Sequence, residues 1–284
     1  MRQLIIDEAP DKKGLIKISG DNFHYLRQVL RVKCGSMVNV RLKNGELFQT
    51  TVAKISDESK KIVLQLCNGF SSDEKVNAKN VTRGVQSQNI EKEVEQNIEY
   101  TLLQFLPRAQ KFELIVRQAT ECGIKNIVPV IGEYSEKSSI ASMSQNKTER
   151  MERIVKEARQ QSGSPIQTVL QPLTSLEAAI ENFSKNSLCL VLYERTEFSE
   201  NLFEVLKKNI SSSQLKNDSC RKICIAVGCE GGISPDEISV LREKGLFHSI
   251  HFAVNILRCE TASLYGIAAI QSAVSEILAG GKNV

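Results

Sequence analysis

The sequence has no uninterrupted apolar run close to the ~18 residues that a membrane-spanning helix needs. Its longest charge-free, apolar-leaning stretch, residues 261–275, is bounded by Glu260 and Glu276 and carries Gln271. A membrane-spanning protein is excluded on this pattern, and no membrane partner is expected. The N-terminal apolar run, Leu4-Ile5-Ile6, is far shorter than the roughly seven residues of a signal-peptide core, so the expected location is the cytoplasm. Paired cysteine spacing is also missing. The eight cysteines, at 34, 67, 122, 189, 220, 224, 229 and 259, read in that compartment as small buried hydrophobes rather than disulfides. Cys220, Cys224 and Cys229 are the one cluster that suggests metal ligands, but the β-branched Ile223, Ile225 and Val227 mark a strand there; on a strand, residues four apart lie about 13 Å apart. Two ligands of one zinc at ~2.3 Å each cannot span that, and His24, His248 and His251 complete no such set. No metal is expected.

What the chain does have is ordinary globular composition: 284 residues, 41% apolar and 25% charged, enough for a real core and about two domains of ~150 residues. The net charge of +4 is unevenly placed. Residues 1–70 hold 12 Lys+Arg against 7 Asp+Glu, and the remaining 214 hold 25 against 26. A compact basic module beside a near-neutral larger one is the electrostatic outline of a nucleic-acid-binding domain attached to a catalytic one. A basic surface with no polyanion partner has the same outline.

Short alternating or apolar runs recur in that quarter, at Gln3–Ile6, Leu15–Ile18, Met37–Leu42, Leu47–Ile55 and Ile62–Cys67, with turn residues such as Asn44-Gly45 between them. This is the pattern of a small β-barrel over residues 1–70. A helix with Asp21 as N-cap is expected from about Asn22 to Leu30, with Phe23, Leu26 and Leu30 inward. His24, Arg27 and Arg31 fall at i, i+3 and i+7 as a basic stripe, either a solvated face or a set of phosphate contacts. Residues 71–97 are polar and read as a linker or insertion. From residue 98 to 284 strands and helices alternate. Continuously apolar runs at Tyr100–Leu106, Asn126–Ile131, Leu188–Tyr193, Ile223–Gly228 and Ser249–Val254 are separated by helix patterns at Lys111–Cys122, Lys147–Ser162, Leu176–Ser184 and Pro235–Lys244, with a last one at Thr261–Leu278. Such strands have helices on both faces, which predicts an α/β domain with a mainly parallel sheet.

In a doubly covered parallel sheet, ligands bind outside the carboxyl ends of the strands. Three segments lie there: Leu192-Tyr193-Glu194-Arg195, Gly228-Cys229-Glu230-Gly231-Gly232-Ile233-Ser234-Pro235, and Asn255 to Ala262. Three glycines in five residues permit positive φ and close approach of main chain to a ligand, as a loop around a nucleoside needs, although a tight turn alone would use them too. The spacing is not that of the dinucleotide fingerprint, and the Lys-Ser/Thr end of a P-loop is missing. Glu230 would repel a phosphate and suits cationic, amide or hydroxyl partners. Ser234 is placed to cap the following helix and Pro235 to occupy its first turn.

Taken together, Gly-x-Glu-Gly-Gly-Ile-Ser-x-x-Glu and, some two dozen residues later, Ile-Leu-Arg-x-Glu-Thr-Ala resemble the S-adenosylmethionine-dependent methyltransferases of the SPOUT class. More narrowly they resemble the RsmE family, which methylates N3 of a uridine in 16S ribosomal RNA. Residues 23–31 with Gly35, Lys111 to Gly123, Val128-Pro129 and Glu157 to Gly163 extend the likeness over nearly the whole chain apart from 71–97. The chain departs from the family pattern at Cys229, Ala253, Asn255 and Ser164, and with Arg117-Gln118 where a Lys is usual.

The resemblance implies an α/β fold: a PUA-like N-terminal β-barrel, a C-terminal SPOUT domain with a deep trefoil knot, and a homodimer with active sites near the subunit interface. It implies S-adenosylmethionine as cofactor, held by main-chain groups around Leu192, Tyr193, Gly228, Gly231, Gly232, Phe252, Ile256 and Leu257. The partner it implies is 16S rRNA in the small ribosomal subunit. Arg258 is the candidate for stabilising the uracil anion, or else it braces the loops through Glu230 or Glu260; Glu230 is a candidate proton acceptor. Arg2, His24, Arg27, Arg31 and Lys33 are the candidate RNA contacts. The alternative is a non-catalytic RNA-binding or ribosome-assembly factor that keeps the fold.

Overall fold

The structure, a computed structural model, describes residues 3–43, 45–67, 98–143, 148–210 and 222–280. Arg2, Asn44, Cys220 and the segment 71–97 lie outside the described residues. Two compact units are present. Of the described residues, the first holds those up to 67 together with Arg159–Gln167, a segment that the sequence pattern assigns to the second domain; the second holds the rest.

In the first unit, β1 (Gln3–Ile6), β2 (Leu15–Ile18), β3 (Met37–Leu42), β4 (Leu47–Ser56) and β5 (Lys61–Leu66) form one sheet in the order β1-β3-β4-β5-β2. β1 runs parallel to β3, and the other neighbours are antiparallel. Alternation places Leu4, Ile16, Ile18, Val38, Val40, Val52, Ile62 and Leu64 on the core side, as period-2 patterning requires. All four residues of β1 are buried, because its other face is covered within the unit. Gln3 Nε2 donates to the carbonyls of Arg159 (3.1 Å) and Ser164 (3.2 Å), and the Ile5 amide donates to Gln160 Oε1 (3.2 Å).

The helical segment differs from expectation. α1 spans Gly20–His24 with Ser19, not Asp21, at the N-cap, and Tyr25–Val29 continues as a π-helix. Phe23 and Leu26 are buried as the pattern predicts. The wider winding, and a left-handed Arg31 (φ 50°) beyond it, take Arg31 off the regular helix, so His24, Arg27 and Arg31 do not form one helical stripe.

The second unit is built on eight strands, all paired in parallel: β6 (Glu99–Phe105), β7 (Asn126–Ile131), β8 (Val169–Leu170), β9 (Thr174–Ser175), β10 (Leu188–Leu192), β11 (Ser199–Glu200), β12 (Lys222–Val227) and β13 (His248–Ile250). The order is β11-β13-β10-β12-β6-β7-β8, with β9 also on β7. The helices are α2 (Ala109–Glu121), α3 (Lys137–Met143), α4 (Thr148–Ser162), α5 (Leu176–Phe183), α6 (Leu202–Asn209), α7 (Pro235–Glu243) and α8 (Cys259–Gly280).

Two cores form because the central strands are apolar on both faces. Leu102, Ile127, Leu190, Ile223 and Ile225 meet Phe112 and Ile115 of α2, Met151 of α4, Leu206 of α6 and Ile267 and Ile270 of α8. Leu103, Phe105, Val128, Val191, Cys224 and Ala226 meet Ala179 and Ile180 of α5 and Ile238 and Leu241 of α7. Each large side chain so buried contributes about 1.5–3 kcal/mol. By length and composition alone α8 could cross a membrane; packing of Ile267, Ile270 and Val274 against the sheet gives its apolar content a place in the core. Of the described cysteines, 189, 224, 229 and 259 are buried, 67 and 122 half-buried and 34 exposed.

Candidate cofactor cavity

The carboxyl ends of β10, β12 and β13 point the same way in a parallel sheet, so the loops that follow them converge. They enclose a cavity of about 460 Å³ in the second unit. All ten residues singled out there by sequence line it: Leu192 and Tyr193 after β10; Gly228, Glu230, Gly231 and Gly232 after β12; Phe252, Ile256, Leu257 and Arg258 after β13. β13 is only three residues long, so 251–258, which the apolar pattern partly reads as strand, is the loop that forms one wall.

Two glycines are required by geometry. A Cβ on Gly228 would lie 2.7 Å from the Gly232 carbonyl carbon, and Gly232 has φ 81°. The Gly232 amide donates to the Cys229 carbonyl at 3.0 Å, closing a tight reversal. Ser234 and Pro235 do what the sequence predicts: Ser234 Oγ accepts from the Glu237 amide (3.3 Å), Glu237 Oε2 accepts from the Ser234 amide (2.9 Å), and Pro235 opens the helix. This capping box fixes where the loop becomes helix.

Beneath the loops lies Gln104 of β6, fully buried. Its Nε2 donates to the carbonyls of Gly228 (3.0 Å), Phe105 (3.1 Å) and Val227 (3.3 Å), and its Oε1 accepts from Ser263 Oγ of α8 (2.6 Å). One amide therefore ties the glycine loop to the helix that follows the third loop.

The charged groups are arranged differently from the sequence expectation. Glu230 and Glu260 are both held by Lys111, with Nζ 3.5 Å from Glu230 Oε1 and 3.4 Å from Glu260 Oε2. Glu230 Oε1 also accepts from the Arg108 amide at 3.2 Å, and Glu260 Oε2 accepts from the Cys259 thiol at 3.3 Å. Arg258 makes no ion pair among the described residues and is exposed at the cavity wall. Of the two roles open to Arg258, the bracing of these carboxylates falls instead to Lys111. Burial opposes the charge of Glu260, yet its own backbone N–H, the Cys259 thiol and Lys111 together hold its carboxyl below the usual value. Burial, reinforced by Glu260, pushes the Cys259 thiol up to about 12, so it stays neutral and is no nucleophile.

Sequence reasoning passed over three residues here, Lys111, His251 and Gln104, and gave Glu194 no role beyond its place in the first segment. Lys111 was findable, because the first turn of α2 follows the carboxyl end of β6, the neighbour of β12, and the same rule applies to that loop. Glu194 and His251 both line the cavity, and His251 Nδ1 is buried with no hydrogen-bond partner among the described residues. Gln104 carries no signal in sequence, since a lone Gln in an apolar run shows no partner.

The candidate RNA contacts lie in the first unit. Arg27 is paired bidentately with Asp57, Nε to Oδ1 and Nη2 to Oδ2 both at 2.9 Å, and its Nη1 reaches the Val32 carbonyl. His24 Nδ1 is 3.5 Å from Gln28 Nε2. Arg31 and Lys33 are exposed. Among the described residues no group of three His, Cys, Asp or Glu is placed to hold a metal.

The donor set fits S-adenosylmethionine. The glycine cradle has room only for main chain, Glu194 lines the cavity as an acceptor for a cationic or hydroxyl group, and His251 Nδ1 has no hydrogen-bond partner among the described residues. Comparison with known proteins agrees with this chemistry. A model of the RNA methyltransferase domain matches residues 94–271, and one of the RNA methyltransferase PUA domain matches residues 18–65. The chain is 26% identical to ribosomal RNA small subunit methyltransferase E 2 of Borreliella burgdorferi, over 94% of this chain and 96% of that one. It shares its fold with a ribosomal RNA small subunit methyltransferase E of Neisseria gonorrhoeae solved with S-adenosylmethionine, at TM-score 0.67, 18% identity, and 96% and 97% of the two chains. A Legionella pneumophila methyltransferase solved with the same cofactor gives TM-score 0.70 at 18% identity, over 96% and 98%. A PUA domain followed by an α/β catalytic domain, matched over more than half of its length, places the chain in the RNA methyltransferase domain family.

Proposed function

We propose that this protein transfers a methyl group from S-adenosylmethionine to N3 of a uridine in 16S rRNA of the small ribosomal subunit. The observation that carries this reading is the convergence of three loops on one cavity, with a glycine cradle and an unpaired Arg258 in its wall. Leu192, Tyr193, Gly228, Gly231, Gly232, Phe252, Ile256 and Leu257 would hold the cofactor largely through main chain. When bound, the cofactor supplies an electrophilic methyl group on a sulfonium.

The rest of the work is positioning and charge. A neutral uracil N3 is a poor nucleophile, and its deprotonation leaves negative charge on the flanking carbonyl oxygens. Arg258, with no carboxylate of its own, is placed to meet that charge, which is the role of a preorganised donor. Glu230 or solvent accepts the N3 proton. Arg31 and Lys33 of the first unit engage phosphates and orient the RNA, while the catalytic domain reads an unstacked base. The chain forms a trefoil-knotted homodimer acting in the cytoplasm; the exposed Ile256 (87%) and Tyr265 (41%) beside the cavity segments support a second copy covering them.

Nucleoside mass spectrometry of undermethylated small subunits incubated with the protein and S-adenosylmethionine tests the reading. New 3-methyluridine is the expected outcome. Bound cofactor without any new methylated nucleoside would refute it in favour of an assembly factor.

A further inference from the structure

Lys111 joins three parts of the cavity: it projects from the first turn of α2, and its ammonium lies 3.5 Å from Glu230 of the glycine loop and 3.4 Å from Glu260 at the start of α8. Its side chain is 29% exposed, and those of Glu230 and Glu260 are 32% and 15% exposed. None of the three is a freely solvated surface charge. Arg258 stands two residues before Glu260, lines the same cavity as Glu230, and pairs with neither.

The charge count explains why that separation needs a cause. Lys111, Arg258, Glu230 and Glu260 stand together, with Glu194 in the same cavity lining, and one ammonium holds both Glu230 and Glu260. Remove the ammonium and Glu230 keeps the Arg108 amide and Glu260 the Cys259 thiol, but neither keeps a cation, while the unpaired Arg258 stands two residues from Glu260 and lines the same cavity as Glu230. A partly buried charge that loses its counter-ion is unfavourable, so Arg258 would turn to them. A guanidinium forked onto a carboxylate is a strong, bidentate pair, and it would no longer be available to a developing anion.

Resting on the methyltransferase reading above, we propose that Lys111 is a positioning residue that occupies Glu230 and Glu260 and thereby keeps Arg258 free for the anionic acceptor base. Lys111 need not touch cofactor or RNA for this. It acts through Arg258, and its loss should therefore look like the loss of Arg258.

The test is a double-mutant cycle on the full-length protein, with methylation of undermethylated subunits measured per S-adenosylmethionine-binding site so that unfolded protein does not count. Lys111→Met is expected to lower kcat by about a hundredfold, the lower end of what losing one preorganised donor costs. Cofactor affinity should change by less than about threefold, since the interaction is realised mainly in the transition state. Lys111→Arg should recover most of the rate, and Glu260→Gln in the Lys111→Met background should recover part of it by removing one competitor for Arg258. The double variant Lys111→Met/Arg258→Met should be no slower than Arg258→Met alone. A Lys111→Met enzyme within about twofold of wild type, a fully multiplicative double variant, or no recovery by Glu260→Gln would each overturn the proposal. Absence of product from the wild type would overturn the methyltransferase reading itself, and this inference with it.

Discussion

Gln104→Leu is the sharpest test of how the cavity is held. The substitution keeps side-chain volume close to the original but removes an amide that donates to the Gly228 carbonyl at 3.0 Å and the Phe105 carbonyl at 3.1 Å and accepts from Ser263 Oγ at 2.6 Å. Ser263 is not stranded, because the Cys259 carbonyl is 2.8 Å from its hydroxyl. The carbonyls of Gly228 and Phe105 do lose a donor, in a place with no exposure at Gln104 itself. An unsatisfied buried polar group costs about 1–3 kcal/mol, and one such loss plus a weakened second gives ~2–3 kcal/mol overall. For a domain of this size each kcal/mol moves the melting temperature by roughly 2–4 °C, so Gln104→Leu should melt roughly 4–12 °C lower. Because the lost bond lies directly under the cofactor loop, affinity for S-adenosylmethionine should fall by about tenfold, equivalent to ~1.4 kcal/mol. Calorimetric melts and titration calorimetry read both quantities. A melting temperature within about 1 °C of wild type, together with unchanged affinity, would show that the amide is replaceable and that the loop is held by other contacts.

The remaining expectations are simpler. In the first unit, Arg31→Ala and Lys33→Ala should each reduce the dependence of log affinity for small-subunit RNA on log salt by about 0.7–0.9; Arg27→Ala should reduce it less, since Asp57 already occupies that guanidinium. Equal slopes for all variants, read by filter binding across a salt series, would remove this face from the RNA interface. The acid limb of stability should carry the signature of Glu260. Its folded carboxyl titrates below the ordinary 4.5, so its contribution is fully present above that value and lost as pH falls through the lower one. Glu260→Gln should flatten that limb in thermal melts between pH 5 and pH 3, taken here as the approximate carboxylate range; an unchanged profile would mean the pair with Lys111 adds nothing. Arg159 is buried, its Nε and Nη2 have no hydrogen-bond partner among the described residues, and burial followed by the charge of Arg41 lowers its pKa. Arg159→Met should therefore stabilise the protein by about 1–3 kcal/mol in urea unfolding; destabilisation would show that the guanidinium has a favourable partner.

Much of this architecture was legible because its signals are local. β1, β2, β3 and β7 occupy the residues their apolar patterns indicate, and the α7 cap is visible as Ser234-Pro235 followed by Glu237. Elements whose existence depends on distant neighbours were not visible. β8, β9 and β11 are two residues each, too short for any period to register, and β13 stops at Ile250 although apolar residues continue. α6, eight residues between polar segments, has too short an apolar pattern to announce itself despite its Asn201 cap. The π-helix at 25–29 keeps the helical spacing of Leu26 but breaks the arithmetic for Arg31, since five-residue winding leaves no trace in composition. At the site, backbone geometry could be read from the glycines. Ion-pair partners could not: whether Glu260 meets Arg258, two positions away, or Lys111, 149 positions away, is decided by packing.

The order of the parallel sheet bears on how the protein is made. β6 and β12 are adjacent at its centre, with Glu99 in register with Lys222, although 123 residues separate them. β13 then has to settle against the far side of β10. Closing so long a loop is a modest thermodynamic burden, growing only with the logarithm of its length, but non-local parallel pairing is slow and leaves strand edges open meanwhile. During synthesis β6 and β7 emerge first and must wait, one edge of β6 unpaired, until β12 arrives. The three loops of the cavity come from residues beyond 191, so competence to bind cofactor appears only when the last third of the chain is in place. A nascent or C-terminally shortened chain would present apolar strands without the site they serve, which makes the final helix a checkpoint for the whole catalytic domain.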